Sequence, residues 1–294
     1  MQIGKLGVWM SQEMLTAAAA VAQARRVEAW GYGALWQPEA VGRNVLVHSG
    51  WILAHTTSLV VATGIANIYA RDAMACAGAQ LALAEASEDR FLLGLGVSHV
   101  PLVEGVRRHA YGKPVSTMRE YLTAKAGAPY VAPKPGAAPP TVIAALGPRM
   151  LALSAELADG AHPYNVTPEH TARARGILGP GKLLCPEQMV LLETDPAGAR
   201  AAARRALAVY LPLPNYANNW FTLGFTSDDV AGGGSDRLVD AMVAWGDEGA
   251  IRARIQAHWD AGADHVGIQP LSVSENPMAP ADERVLELLA PARN

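Results

Sequence analysis

The sequence predicts a single (β/α)8 barrel over residues 1–294. Eight short apolar runs alternate with helical segments, as in folds built from repeated β–α units. Apolar runs at residues 59–64 and 91–96 flank an alanine-rich helix, and two strands joined by one covering helix must be parallel. Both runs are apolar throughout, as strands buried on both faces are. A doubly wound fold is the alternative, but residues 9–12 form no glycine-rich dinucleotide loop.

The eight strands are expected at residues 5–9, 33–36, 59–64, 91–96, 141–145, 161–164, 188–193 and 265–270. Helices are expected at residues 14–30, 47–57, 72–86, 116–125, 147–159, 169–178, 196–210, 237–245, 248–261 and 281–289. Ser11 and Asp72 are suited to cap the first and third helices, Gly31 to end the first, and Pro148 to occupy a first helical position. Residues 126–140, with five prolines, predict an extended connection, and residues 100–115 and 211–236 are expected to be irregular.

Composition excludes several classes of protein. Half of the residues are apolar and 17% are charged, so we expect a large core rather than disorder. A net charge of -3 without a basic block argues against nucleic acid as a partner. Two cysteines, Cys76 and Cys185, do not suggest a disulfide framework. The start of the chain lacks a signal-peptide layout and no apolar run reaches the ~18 residues of a membrane span, so a soluble cytoplasmic protein is expected.

In a barrel, the active site is built where the strands end. Glu39 and His99 follow the second and fourth predicted strands and are the candidate acid–base residues, although a lone histidine is more often structural. The residues at these strand ends include no His-x-His pair or acidic cluster, so metal-dependent hydrolysis is disfavoured and no metal ligand is predicted. The glycines at 94–96 lack the third glycine of a dinucleotide loop, and residues 179–182 lack Walker spacing and predict a turn.

Two backbone segments are suited to a cofactor. At Gly64-Ile65 a flat ring could press against the chain, since glycine permits close approach; a strand that merely ends at a flexible residue is the alternative. The helix start at residues 146–149 offers amides beside an arginine and suits a phosphate, although it also fits an ordinary helix start. The aromatic residues that could contact a flat ligand, or instead pack in the core, are Trp9, Trp36, Tyr69, Tyr111 and Tyr164.

With these residues in place, the chain resembles the bacterial luciferase-like superfamily, and within it the actinobacterial oxidoreductases that use coenzyme F420, an 8-hydroxy-5-deazaflavin. The resemblance covers nearly the whole chain. Its most specific segments are residues 64–71 (GIANIYAR), 91–99 (FLLGLGVSH), 111–114 (YGKP) with 118–121 (MREY), and 145–150 (ALGPRM).

The resemblance implies a non-prolyl cis peptide at Gly64-Ile65 behind the deazaflavin ring and a hydrogen bond from Asn67 to the polar edge of the ring. It also implies that the loop after the fourth strand wraps the ribityl chain and that the Gly-Pro helix start lies near the phosphate. The expected cofactor-binding residues are Gly64, Ile65, Asn67, Gly96, Val97, Ser98, His99, Tyr111, Ala145, Leu146, Gly147, Pro148, Arg149 and Tyr164.

The sequence departs from the family pattern after the second strand. Some relatives carry a catalytic histidine there, but residues 36–40 read WQPEA, so Glu39 or His99 is left to supply or remove the proton. The chain is also somewhat short for the family, and we expect the insertion that covers the site to be reduced.

The leading functional prediction is hydride transfer between reduced F420 and a small organic substrate at the open end of the barrel. The first alternative is an FMN-dependent monooxygenase on the same fold, and a second is a non-catalytic deazaflavin- or flavin-binding protein. A homodimer is expected from the resemblance and from the apolar helices that follow strands two and three.

Overall fold

The structure is a computed structural model that describes residues 1–276 and 280–291, and every pair of neighbouring strands in it is parallel. Strands pair in the order β10-β9-β11-β1-β2-β3-β5-β6-β7-β8, with β4 on β5. Their bounds are β1 (Leu6–Trp9), β2 (Ala34–Gln37), β3 (Val60–Thr63), β4 (Ala66–Asn67), β5 (Phe91–Gly96), β6 (Thr141–Ile143), β7 (Gly160–Ala161), β8 (Leu183–Leu184), β9 (Glu187–Leu192), β10 (Val243–Gly246) and β11 (Val266–Pro270).

The sheet closes into a barrel because β8 and β9 occupy one strand position. β8 pairs with β7, β9 pairs with β11, and only residues 185–186 separate them. Beyond this break, the Glu187 amide still donates to the Pro163 carbonyl oxygen at 2.9 Å. The predicted (β/α)8 fold is confirmed, with β10 as an additional strand on the carboxyl-terminal half of β9.

The helices surround the barrel. Their bounds are α1 (Ala17–Ala29), α2 (Val45–Leu53), α3 (Ala73–Ala86), α4 (Pro114–Ala126), α5 (Pro148–Leu157), α6 (Pro168–Leu178), α7 (Pro196–Leu207), α8 (Pro214–Thr222), α9 (Ser227–Val230), α10 (Asp236–Met242), α11 (Glu248–Asp260) and α12 (Arg284–Leu288). Short 3-10 turns occupy Ile68–Ala70 and Ala231–Gly233, and a π-helical turn occupies Pro101–Val106.

Three of the four local signals named in the sequence analysis mark helix ends. Asp72 caps α3 by accepting a bond from the Ala75 amide at 2.9 Å, Pro148 begins α5, and Gly31 follows α1 with φ +84°. The prediction that Ser11 caps α1 is wrong. Thr16 caps it instead, because its hydroxyl lies 3.2 Å from the Ala19 amide and the helix begins at residue 17.

The expectation for residues 211–245 needs the largest correction. The irregular segment at 211–236 contains α8 and α9, because Pro214 stands in the first turn of α8 and Thr226 forms a capping box with Asp229 for α9. Residues 243–245, predicted as the end of a helix, lie in β10. The signals for α8 and α9 are local and were missed, whereas β10 depends on pairing with β9, which a local reading of the sequence cannot see.

Side chains alternate between the two faces of the barrel wall. On β1, Val8 belongs to the layer between strands and helices, whereas Trp9 belongs to the cluster inside the barrel. Inside, Trp36 stacks on His162 with ring centroids 4.3 Å apart and donates a hydrogen bond to His265 at 2.9 Å. Among the helices of the described residues, none is long and apolar enough to cross a membrane.

Candidate active site

The backbone turns sharply where β3 ends, and we call residues 64–67 the bulge. The Gly64–Ile65 peptide bond is cis, as the family resemblance implies. The Gly64 amide donates to the Gln37 carbonyl oxygen at 2.8 Å, and the Ile65 carbonyl oxygen accepts from the Glu39 amide at 3.2 Å. The end of β2 and the segment after it therefore hold the bulge by two backbone bonds.

Two glycines of β5 make room for the bulge. A Cβ atom on Gly96 would lie 2.5 Å from Cγ1 of Ile65, and the Cβ position of Gly94 is blocked by the Thr63 carbonyl group. The glycine pair that matched no dinucleotide loop thus has a different function. It lets the Ile65 side chain pack directly against the backbone of the next strand.

Glu39 lies under the bulge with its carboxylate fully engaged. One oxygen pairs with the Arg71 guanidinium and lies 3.3 Å from the Val45 amide, and the other accepts from the Asn67 amide at 2.8 Å. Only 3% of the Glu39 side chain is exposed. Both carboxylate oxygens of Glu39 therefore have protein partners, and its acid–base role stays a prediction. The sequence analysis did not identify Arg71, because no local sequence pattern shows that Glu39 is its partner.

Asn67 presents a hydrogen-bond donor next to the bulge. Its side-chain oxygen accepts from the Tyr69 amide at 2.9 Å, which fixes the orientation of the amide group. Its Nδ2 is buried and has no hydrogen-bond partner within the described part of the chain. Buried donors are rarely unpaired. The residue therefore fits a ligand that offers a hydrogen-bond acceptor.

Trp9 and His162 face the inner side of Gly64. From the Cβ position of Gly64, Trp9 Cδ1 is 2.9 Å away and His162 Nε2 is 3.3 Å away. Burial lowers the pKa of His162 to about 4, so its ring is neutral at pH 7. Its Nδ1 lies 2.6 Å from the Cys185 carbonyl oxygen and must carry the proton, which leaves Nε2 as an acceptor. Position 64 therefore has no space for a side chain.

The loop after β5 reaches the same end of the barrel. Ser98 has φ +57°, and its carbonyl oxygen accepts from the Tyr111 hydroxyl at 3.1 Å. Tyr111 also stacks on Tyr69 with ring centroids 5.7 Å apart. Val97, Ser98 and His99 are half-buried. Burial lowers the pKa of His99 although a side-chain hydrogen bond with Asn215 opposes this shift, so a neutral imidazole is favoured near pH 7.

The start of α5 is open. Gly147, Pro148 and Arg149 are exposed, Gly147 is the N-cap, and α5 has no side-chain cap bond among the described residues. Ala145 is buried before it, and His170 bonds to the Leu146 carbonyl oxygen at 2.8 Å. An uncapped helix start with an adjacent arginine can bind an anion such as phosphate.

Tyr164 stands between the barrel interior and α8. Its ring centroid is 5.0 Å from that of Trp9. Its hydroxyl lies 2.8 Å from Gln269 Oε1 and 2.8 Å from the Tyr210 hydroxyl. Since the Gln269 oxygen can only accept, Tyr164 donates to it and Tyr210 donates to Tyr164.

Helix α8 covers this end of the barrel. Its Tyr216 ring lies 5.7 Å from the His99 ring, and its Trp220 indole donates to the Asn165 carbonyl oxygen at 3.2 Å. The helix therefore bridges the loops after β5 and β7. A cavity of about 680 Å³, lined in part by Lys5, Arg252 and Trp259, opens instead at the opposite end, where β1 begins.

The predicted cofactor residues come from adjacent strands. They follow β3, β5, β6 and β7, which are consecutive neighbours in the sheet, so their carboxyl-terminal ends lie side by side. In residues 1–276 and 280–291, no group of three or more His, Cys, Asp or Glu side chains could hold a metal ion.

Comparison with known proteins finds relatives over most of the chain. The family model described as luciferase-like monooxygenase matches residues 3–178. A putative coenzyme F420-dependent oxidoreductase of Mycobacterium tuberculosis is 28% identical over 89% of this chain and 92% of its own length.

Two solved structures share the fold. The coenzyme F420 dependent tetrahydromethanopterin reductase of Methanopyrus kandleri superposes with a TM-score of 0.77 at 16% identity, over 97% of each chain. The oxygenating constituent of 3,6-diketocamphane monooxygenase of Pseudomonas putida, in complex with FMN, gives a TM-score of 0.72 at 14% identity, over 98% of this chain and 97% of that chain.

Proposed function

This chain belongs to the luciferase-like monooxygenase family, and from that premise we propose that it is an F420-dependent oxidoreductase acting on a small organic substrate. The observation that carries the proposal is the Asn67 amide. Its oxygen is occupied by the Tyr69 amide, and its Nδ2 has no partner in the portion of the chain that the structure describes. A neutral donor beside the bulge suits the carbonyl edge of a deazaflavin ring.

The remaining residues fit the other parts of such a coenzyme. Gly64 and Ile65 would lie against the ring, and Gly96, Val97 and Ser98 along the ribityl chain. Gly147 and Arg149 would hold the phosphate at the uncapped start of α5. Tyr111 and Tyr164 would border the ring on either side of the bulge.

Reduced deazaflavin supplies a hydride from a ring carbon, which is chemistry that belongs to the coenzyme. The protein's part is to hold coenzyme and substrate in contact and to exclude water. The cover formed by α8 and the half-buried loop at residues 97–99 are suited to exclude water.

We assign the accompanying proton transfer to His99 rather than Glu39. Burial lowers the pKa of His99, so its neutral ring can accept a proton or pass one on at neutral pH. The Glu39 carboxylate is instead tied to Arg71 and to the backbone of the bulge. This assignment also accounts for the absence of a histidine among residues 36–40.

The names of the relatives support F420, because both the curated mycobacterial relative and the methanogen reductase carry it in their descriptions. The alternative is an FMN-dependent monooxygenase, since a structure of that class with FMN shares the fold. In both cases the same bulge would hold the ring, and the two functions differ in whether oxygen is a substrate.

The test is equilibrium binding of each coenzyme to cofactor-free protein, monitored by fluorescence. F420 should bind more tightly than FMN, and reduced F420 should be consumed anaerobically with a panel of ketones and enones. Asn67→Asp keeps the acceptor for the Tyr69 amide but replaces the donor, and should weaken F420 binding about tenfold. Asn218→Asp, on the exposed face of α8, is the matched control. Tighter binding of FMN, with oxygen-dependent turnover, would establish the alternative.

A further inference from the structure

Three buried polar side chains lie around the contact between α8 and the segment after β7, where the Trp220 indole bonds to the Asn165 carbonyl oxygen. Asn165 follows β7, Glu187 begins β9 and Asn219 lies on α8, and their exposed fractions are 2%, 1% and 5%. We call these residues the polar cluster. Glu187 and Asn219 were not singled out in the sequence.

Backbone bonds hold the polar cluster together. The Asn165 amide donates to Glu187 Oε2 at 3.2 Å, and the Trp220 indole donates to the Asn165 carbonyl oxygen at 3.2 Å. Asn165 has φ +55°, a left-handed conformation that asparagine tolerates better than most residues. Its backbone groups are therefore satisfied by β9 and α8, and its side chain remains available.

Four atoms of the polar cluster lack a protein partner. They are Glu187 Oε1, Asn165 Oδ1, Asn165 Nδ2 and Asn219 Nδ2, none of which bonds to any residue that the structure describes. Most buried polar side-chain atoms in proteins are hydrogen-bonded. Four unsatisfied donors and acceptors around this contact of α8 indicate a site that a ligand or water completes.

The cluster is suited to a neutral ligand group. None of the ion pairs formed by the described residues includes Glu187. Burial raises the pKa of Glu187 to about 8, so its carboxyl is protonated near pH 7. The cluster therefore favours a neutral hydrogen-bonding group over an ion of either sign.

A chain of contacts leads from the proposed coenzyme site to the polar cluster. Trp9 borders Gly64 of the bulge, Tyr164 lies 5.0 Å from Trp9 between ring centroids, and Asn165 is the next residue in the chain. A substrate reaching from the bulge along Tyr164 would arrive at the cluster beneath α8.

We propose that the polar cluster of Asn165, Glu187 and Asn219 binds a neutral carbonyl, hydroxyl or primary amide group of the substrate, at the end away from the reacting atom. This rests on the proposed function for its role in turnover, but binding at the cluster can be measured without coenzyme. The cluster is thus a specificity site that selects uncharged polar substrates.

The experiment uses three small molecules of nearly equal shape and different charge: acetamide, acetate and acetamidinium. Each is titrated into cofactor-free protein while the seven tryptophan indole N–H signals are followed by NMR. Acetamide should shift the Trp220 signal in a saturable manner, since that indole bonds to Asn165. Acetate and acetamidinium should not, and the signal of Trp51, on the outer helix α2, should stay unchanged with all three.

Variants test the individual residues. Asn219→Ala and Asn165→Gly should each weaken acetamide binding about fivefold, as expected for loss of one hydrogen bond. Glycine is chosen at 165 because it adopts the same left-handed backbone. Asn218→Ala, one position along α8 and exposed, should bind as the parent does.

The proposal is overturned if no probe shifts Trp220, in which case water satisfies these atoms. It is also overturned if the three probes act alike, or if Asn219→Ala binds acetamide normally. Acetamide binding without F420 binding would reject the proposed function and keep the polar site. F420 binding without an acetamide response would reject the polar site and keep the proposed function.

Discussion

The Glu39 carboxylate and the Arg71 guanidinium form an ion pair beneath the bulge, with 3% and 8% of their side chains exposed. The same carboxylate accepts the amide of Asn67, and Arg71 Nη1 lies 3.3 Å from the carbonyl oxygen of Asn67. The pair therefore fixes both backbone polar groups of the residue proposed to bind the ring.

Glu39→Gln should destabilise the protein by about 3–5 kcal/mol, because it leaves the Arg71 charge buried without its partner. Urea unfolding measures this loss, and the double variant Glu39→Gln/Arg71→Met should lose less than the two single changes together. If Glu39→Gln leaves stability unchanged but removes one limb of the pH profile of turnover, Glu39 is catalytic.

His99→Gln should lower kcat by about 10²–10⁴-fold if His99 handles the proton, while F420 binding changes little. The measurement is steady-state kinetics alongside a coenzyme titration, across the pH range in which the parent is stable. Equal loss of binding and turnover would instead indicate that His99 only packs against the coenzyme and Tyr216.

Gly96→Ala should destabilise the fold by about 1–3 kcal/mol, since its new methyl group would overlap the Ile65 side chain. Ile65→Ala in the same chain should restore part of the loss, which chemical denaturation can quantify. Gly78→Ala is the control, because nothing described lies within 4 Å of its Cβ position, and it should stabilise α3 by about 0.5–1 kcal/mol. If Ile65→Ala restores no stability to the Gly96→Ala variant, the new methyl group overlaps atoms other than the Ile65 side chain.

Stability should depend on pH through buried groups of two kinds. Burial lowers the pKa of His48, His162 and His265 to about 4. Between about pH 6.5 and 4 the unfolded chain takes up protons on these groups that the folded chain does not, so stability falls as the pH falls.

Glu187 acts in the opposite direction, since burial raises its pKa to about 8. From its unfolded pKa of about 4.3 up to 8, the unfolded state loses a proton that the folded state keeps, so stability falls as the pH rises. Urea midpoints should peak near pH 6.5, and Glu187→Gln should flatten the decline between pH 6.5 and 8. Glu156→Gln, at an exposed position, should leave that decline intact.

We propose that the exposed apolar face of α2 and α3 binds a second copy of this chain. Val47 and Trp51 stand four positions apart on α2 and are 73% and 44% exposed, and Met74 at the start of α3 is 59% exposed. Val47→Glu should convert a dimer to a monomer in light scattering, whereas Val131→Glu, in the extended segment, should not. A parent protein that is monomeric at all concentrations would rule this out.

What the sequence determined by itself was local or periodic. The alternation of apolar runs and helices predicts the barrel, and Asp72, Gly31 and Pro148 marked helix ends, because each acts on residues within one turn of itself. The resemblance added the position of the cis peptide at Gly64-Ile65 and of Asn67 after it.

Tertiary structure decided the rest, because the relevant partners lie far apart in the chain. Glu39 meets Arg71 across 32 positions, and Asn165 meets Trp220 across 55. Whether a carboxylate is free, paired or protonated depends on such neighbours, so sequence analysis could find Glu39 but not its role, and could not find Glu187. The cover formed by α8 likewise exists because β9 and α7 provide the apolar surface on which Tyr216 and Trp220 pack.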